Sequence, residues 1–184
     1  GEHNVRNTLA AIAVGRELGI PIEVASSGLA SFSGVNRRFQ IRGAHDGVTV
    51  VDDFAHHPTA LRETLRTAKK AWGDGRVVVV FQPHLFSRTR DFQQEFAEAL
   101  LDADVAFVAD IYPSREKPEP GVTSELIVSH GRTLKHPDIR LSGTLDETVR
   151  QLRSELRDGD LLLTVGAGDV NTIGDAILDT ETPS

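Results

Sequence analysis

Two short runs, RVVVVFQP from Arg76 to Pro83 and DVAFVADIY from Asp104 to Tyr112, constrain the fold more than any other feature of the chain. Their cores are apolar at every position, without the alternation of a half-exposed strand, so each must be covered on both faces. Between them, SRTRDFQQEFAEALLDA sets Phe92, Phe96 and Leu100 at four-residue steps along one helix face. The alternation continues. A helix is expected around Ser124 to His130, then a strand IRLSG and a helix TLDETVRQLRSEL opened by Thr144 and Glu147 in capping-box spacing. A strand DLLLTVGAG and a last helix from about Asp169 to Leu178 follow. Such an order predicts an α/β fold with a mostly parallel, Rossmann-like sheet and helices on both faces. Ahead of it, RRFQIRG and GVTVVDDF, joined by AHD with a glycine on each side, read as a hairpin that supplies one antiparallel edge.

The first part of the chain reads differently. A helix is expected from about Asn4 to Leu18, with Leu9, Ile12, Ala13 and Leu18 near helical spacing and Gly19 as its stop. A second, Ala-rich helix has Pro21 in its first turn and decays into Ser and Gly, which places a boundary near Gly34. Residues 1–34 are therefore expected to be a small helical piece and 35–184 a domain. With 184 residues and 39% hydrophobic content, the chain can bury one full core. A formal charge of −7 argues against a nucleic-acid partner, which needs basic clusters. The absence of cysteine removes disulfides and thiolate zinc sites, and no apolar run is long enough for membrane insertion. A cytoplasmic protein is expected. The opening residues read as an amphipathic helix rather than a leader, as if the chain began inside a structure.

In sheets of this kind ligands bind beyond the carboxyl ends of the strands. The polar clusters at those ends are DDFAHHP after Val51, QPHLFSRTR after Phe81, DIYPSRE after Ala109 and GAGD after Val165. Each has a plain structural reading: Asp52 or Asp53 as a turn cap, His57 as the N-cap ahead of Pro58, Ser87 as a helix cap, GAGD as a tight turn. Together, however, His56, His57, His84, two aspartates, Arg88 and Arg90 on one sheet edge point to a shared polar site. Asp52 and Asp53 in an extended segment face opposite ways, so one at most can join His56, which disfavours a metal site. A Ser-His-Asp hydrolase would need a G-x-S-x-G elbow, and none is present. Anion recognition remains, with Arg88 or Arg90 gripping a carboxylate or phosphate and an aspartate taking sugar hydroxyls. No G-x-x-x-x-G-K-[ST] loop occurs, so a phosphate cradle for a nucleoside triphosphate would lie on another segment.

GEHNVRNTLAAIAV, GVNRRFQIRG, VDDFAHHPTAL, VVFQPHLFSRTRDF, DIYPSREKP and GAGDV occur in the order and spacing of the Mur ligase family, and the chain resembles the branch that adds the first amino acid of the peptidoglycan stem. The resemblance covers nearly the whole chain, and FQPHLFSRTR discriminates. The branch that recycles murein tripeptide is similar through DDFAHHP and differs after the next strand. The resemblance implies a fragment: residues 1–34 end a central ATPase domain and 35–184 form a C-terminal domain, hinged near Gly34 and Val35. The UDP-sugar domain, phosphate loop and magnesium-holding acids would then lie upstream. It further implies ATP-dependent amide formation between UDP-N-acetylmuramate and L-alanine through an acyl phosphate, with ATP and Mg2+ required by the full-length enzyme and no activity in the fragment alone. By the same resemblance, Asn4 and Asn7 lie near the adenine, Arg38 reaches the ATP phosphates and Asp53 holds the ribose. Phe54, His56, His84 and Arg88 would line the amino-acid pocket, with Arg88 pairing the carboxylate; no residue here is assigned a catalytic role. Many members have Tyr at the position of Phe54 and Arg at that of Leu85, which shifts the carboxylate contact towards Arg88 and His84. The competing readings are a non-catalytic nucleotide-binding or regulatory α/β domain and a metal-dependent hydrolase using DDFAHH.

Overall fold

The all-apolar run Val77–Phe81 forms strand β3 and is fully buried, and its side chains divide by parity between two cores. Val77, Val79 and Phe81 pack on one face of the sheet, Val78 and Val80 on the other. Burying such a side chain contributes about 1.5–3 kcal/mol, against about 1–2 kcal/mol of backbone entropy per residue, so a five-residue central strand is held by its covered faces. The structure, a computed structural model, describes residues 2–32 and 34–179, with the side chains of residues 2–4 outside that description. It divides into two compact units, Gly1–Val35 and Asn36–Ser184.

In the first unit, α1 (Glu2–Glu17) ends where Gly19 takes φ 75°. There Ile20 N–H reaches Gly15 O at 2.8 Å and Gly19 N–H reaches Arg16 O at 3.0 Å, the paired bonds of a Schellman stop. Pro21 then caps α2 (Ile22–Ala30). Of the apolar stripe expected on α1, Ile12 is half-buried while Leu9 and Ala13 are exposed, as is Leu18 just past the helix.

The second unit is a six-stranded sheet in the order β1-β2-β6-β3-β4-β5. The strands are β1 (Gln40–His45), β2 (Val48–Asp53), β3, β4 (Val105–Ala109), β5 (Ile139–Gly143) and β6 (Leu161–Val165). All neighbours run parallel except β1 and β2, as expected from the alternating pattern. Helices α3 (Pro58–Trp72), α4 (Phe86–Leu100) and α5 (Glu125–Thr133) cover one face through Leu61, Leu65, Phe96, Leu100 and Ile127. Helices α6 (Leu145–Glu155) and α7 (Asn171–Leu178) cover the other through Leu152, Ile173 and Ile177. The stripe on α4 is buried at Phe96 and Leu100, with a break at Phe92, whose φ of −121° interrupts the helix. Thr144 and Glu147 form the expected capping box.

Three local expectations are corrected. The hairpin loop is not AHD: β1 runs through His45, which pairs with Val48, and the turn is Asp46-Gly47. Both residues have positive φ, 48° and 74°, the two-residue turn whose twist suits a hairpin. The first strand does not include RRF, because Arg37 and Phe39 have φ of 59° and 45°. Their N–H groups are taken by Gln40 Oε1 and Asp53 Oδ2, at 2.9 and 2.8 Å, instead of a ladder. The last helix begins at Asn171, two residues later than expected, since GAGD is spent on the turn.

Candidate functional site

At their carboxyl ends β6 and β3 lead to opposite faces, one to α7 and the other to α4, which opens a crevice between them. Gln82 fills it. This side chain is 5% exposed, donates from Nε2 to Asp169 Oδ1 at 2.8 Å and accepts Val170 N–H at 3.2 Å. Beside it, Arg37 staples three segments: Nε donates to Asp52 Oδ2 at 2.9 Å, Nη1 to Gly168 O at 3.0 Å and Nη2 to Gly166 O at 2.8 Å. Asp52, which is fully buried, also accepts Thr164 Oγ1–H at 2.9 Å, so its charge is both paired and hydrogen-bonded. The aspartates do face opposite ways. Asp53 accepts Phe39 N–H and Ala55 N–H, one on each oxygen, both at 2.8 Å.

The open polar surface lies towards α3 and α4. Phe54, His56, His84 and Tyr112 form a continuous row of rings, with centroids 5.3, 5.9 and 5.8 Å apart in turn, and His84 and Tyr112 are stacked. Arg37 lies over the Phe54 end, 5.1 Å from the ring centre. Backbone pairing sets the other end: Tyr112 N–H donates to Pro83 O at 2.8 Å and Leu85 N–H to Tyr112 O at 3.0 Å. Arg88, in the first turn of α4, donates from Nη1 to His84 Nδ1 at 3.3 Å and stands 3.5 Å from His56 O. Burial pushes the His84 pKa below its ordinary value, and the charge of Arg88 and the neighbouring His56 push the same way.

The hydrogen bonds assign the tautomers. Arginine has only donors, so His84 Nδ1 accepts and its proton sits on Nε2. His56 Nδ1 lies 2.9 Å from Phe54 O, which can only accept, so the proton is on Nδ1 and Nε2 of the neutral ring is an acceptor. The cluster thus holds two donor groups, Arg88 and His84 Nε2–H, and one acceptor, His56 Nε2.

All four expected amino-acid-pocket residues, Phe54, His56, His84 and Arg88, are therefore in one constellation, and Asp53 directly precedes Phe54 in the chain. Arg38 is exposed and makes no hydrogen bond or ion pair among the described residues. Asn7 is exposed on α1 in the other unit, and the Asn4 side chain lies outside the described residues. Arg90 pairs with Asp91 and Glu119. His57 is the N-cap of α3, though without a side-chain bond, and its ring packs on Phe92. Ser87 is not a cap: Leu85 holds that position, and Ser87 donates N–H and Oγ–H to Glu116 at 2.9 and 2.5 Å. Arg37, Tyr112 and Glu116 were not singled out as site residues by the sequence. Tyr112 and Glu116 lie in or beside the strand-end cluster DIYPSRE, which was the available signal. Among the described residues no group of three or more His, Asp or Glu side chains is placed to hold a metal ion. No helix there is long and apolar enough to cross a membrane.

The sequence of residues 37–168 matches the family described as Mur ligase, glutamate ligase domain. The chain belongs to the Mur ligases. It is 49% identical, over 97% of its length, to UDP-N-acetylmuramate--L-alanine ligase of Paenarthrobacter aurescens, of which it spans 38%. Its fold superposes with a TM-score of 0.80 on the UDP-N-acetylmuramate-alanine ligase of Thermotoga maritima, at 30% identity over 97% of this chain and 37% of that one. A murein peptide ligase from Psychrobacter arcticus follows at a TM-score of 0.74 and 27% identity, over 97% of this chain and 36% of that one. This Mur ligase chain thus spans about two-fifths of the length of the curated relatives it matches.

Proposed function

We propose that this chain is the C-terminal part of a cytoplasmic ATP-dependent ligase that joins L-alanine to UDP-N-acetylmuramate, and that the constellation around His84 is its amino-acid pocket. The observation that carries the reading is the donor and acceptor set of Arg88, His84 and His56. A free amino acid brings a carboxylate and an amine. The guanidinium and His84 Nε2–H suit the first, and His56 Nε2 suits the second. Neutral His84 lets Arg88 keep its full charge for the carboxylate. Phe54 and Tyr112 bound the space left for a side chain.

On this reading residues 1–34 belong to the preceding ATPase domain, in keeping with the exposure of Val5, Leu9, Val14 and Val24 on α1 and α2. Asn4, Asn7, Arg38 and Asp53 would serve the nucleotide. Arg38 fits a phosphate because its charge is uncommitted, and Asp53 keeps one lone pair on each oxygen after accepting its two amides. The muramoyl carboxylate would attack the γ-phosphate of ATP, releasing ADP and forming an acyl phosphate, and the alanine amine would then attack the acyl carbon and displace inorganic phosphate. The part played by this chain is to fix the amine in line with that carbon and to keep its carboxylate paired. Magnesium would be held by acids of the preceding ATPase domain, as the family resemblance implies. The test is phosphate release by the full-length parent protein. It should require ATP, UDP-N-acetylmuramate and L-alanine together, and the 184-residue chain alone should release none. Turnover by the parent without an amino acid, or ligation by the chain alone, would refute the proposal. Turnover with a tripeptide in place of alanine would assign it to the recycling branch.

A further inference from the structure

Helix α4 carries Arg88 in its first turn, yet its own sequence provides no cap. Leu85 at the N-cap has no acceptor and sits at φ 74°. The first N–H groups of a helix are orphans that must find partners. Here one partner comes from 29 residues away: Glu116 Oε2 accepts Ser87 N–H at 2.9 Å and Oε1 accepts Ser87 Oγ–H at 2.5 Å. The carboxylate is itself anchored, because Glu116 N–H closes a turn on Pro113 O at 2.9 Å, and the same loop pairs its Tyr112 backbone with residues 83 and 85. Glu116 is held more acidic than an ordinary glutamate, by its bonds to Ser87 first and by Arg115 last.

We propose that Glu116 is a positioning residue of the pocket, fixing the first turn of α4 from the facing loop so that Arg88 meets His84. The statement rests on the pocket reading above. Its force comes from the weakness of the contacts it protects. Arg88 Nη1 is 3.3 Å from His84 Nδ1 and 3.5 Å from His56 O, both at the long end for hydrogen bonds, so a shift of the first turn by a fraction of an ångström removes them. Ser87, the residue that Glu116 grips, directly precedes Arg88. Of the charged and titratable groups that face His84, namely Arg88, His56, Arg115 and Glu116, Glu116 alone favours the imidazolium. It therefore also limits how far the other three depress the basicity of His84.

The experiment compares Glu116→Gln with wild type in the full-length ligase and follows the His84 imidazole by NMR in the 184-residue chain. Glutamine keeps an acceptor for Ser87 N–H and removes the charge. The alanine KM is expected to rise about tenfold, the size of one charge-assisted hydrogen bond, with the ATP KM unchanged and the His84 midpoint moved further down. A wild-type alanine KM would overturn the proposal. So would an equal rise in every KM with the His84 midpoint unmoved, which is the pattern of a plain helix cap. If Glu116→Ala fails to fold, the glutamine variant still decides. If the wild-type parent does not consume alanine, the functional reading fails, and the His84 titration still reports on Glu116.

Discussion

Arg88 Nη1 stands 3.3 Å from His84 Nδ1, and a guanidinium has only hydrogens to offer, so the imidazole must turn its lone pair towards it. The pair survives only while His84 is neutral. Protonation would turn Nδ1 into a donor and set two cations side by side. The His84 pKa lies below the ordinary histidine value of 6.5, so the arrangement is intact at and above neutrality and is lost as pH falls through that depressed value. In the full-length ligase the alanine KM should rise on the acid side below 6.5, and His84→Gln should abolish that limb. A KM profile that is flat into the acid range in wild type would show that the contact does not govern binding.

Arg88 offers a planar fork that a carboxylate can accept on both oxygens, which an ammonium group cannot reproduce. Arg88→Ala is expected to raise the alanine KM by about a hundredfold, the scale of a lost charged pair, and to leave the ATP KM close to wild type. Arg88→Lys should recover only part of the loss. Steady-state kinetics with each substrate varied in turn decides the matter, since equal effects on alanine and ATP would argue against a carboxylate contact.

How far the sequence disclosed this arrangement depends on the range of the interaction. Val77–Phe81 and Val105–Ala109 announced buried parallel strands because their signal is local and repeats at every position. His84 and Arg88 were legible because one helical turn separates them at a strand end. The bonds of Arg37 to Gly166 and Gly168 cross 129 and 131 residues, and nothing in NRRF distinguishes Arg37 from the exposed Arg38. Glu116 stood in the strand-end cluster DIYPSRE, but its role was illegible for the same reason: the cap of α4 is supplied by another loop, so the local pattern gave the role to Ser87. Asp46-Gly47 was a strong local signal, misread because His45 reads as loop polarity although it extends the strand.

His136 lies outside the pocket and is a stability element. It is 8% exposed, its Nε2–H donates to Leu100 O at 2.9 Å and its Nδ1 accepts Asp138 N–H at 3.0 Å, so the buried ring is neutral and both nitrogens are used. Burial is the main cause of its lowered pKa, outweighing Leu100 O and the acids Asp138 and Asp104. The unfolded chain therefore takes up the proton first, near 6.5, while the folded one resists it. Its contribution is full above 6.5 and is lost as pH falls from there through the folded value. His136→Ala should cost about 1–3 kcal/mol at neutral pH by leaving the Asp138 amide unpaired and removing one of the two donors to Leu100 O, which keeps only Ala103 N–H. It should also reduce the loss of stability on acidification. Thermal melts of both proteins on either side of that pH provide the check.

Leu85 carries a conflict that predicts an inverted substitution order. Its side chain is 7% exposed, yet its backbone stands at φ 74° and ψ 136°, a region that strongly favours glycine. Leu85→Ala removes most of the apolar burial and keeps the strain, which should cost about 2–4 kcal/mol. Leu85→Gly removes slightly more burial and releases backbone strain worth about 1–3 kcal/mol. The glycine variant should therefore be the more stable of the two by about 1 kcal/mol, the reverse of the usual order at an ordinary position. Denaturant unfolding of the two variants measures this difference directly. An alanine variant equal to or more stable than the glycine variant would mean that the turn into α4 is not held against its own preference by the Tyr112 and Glu116 contacts.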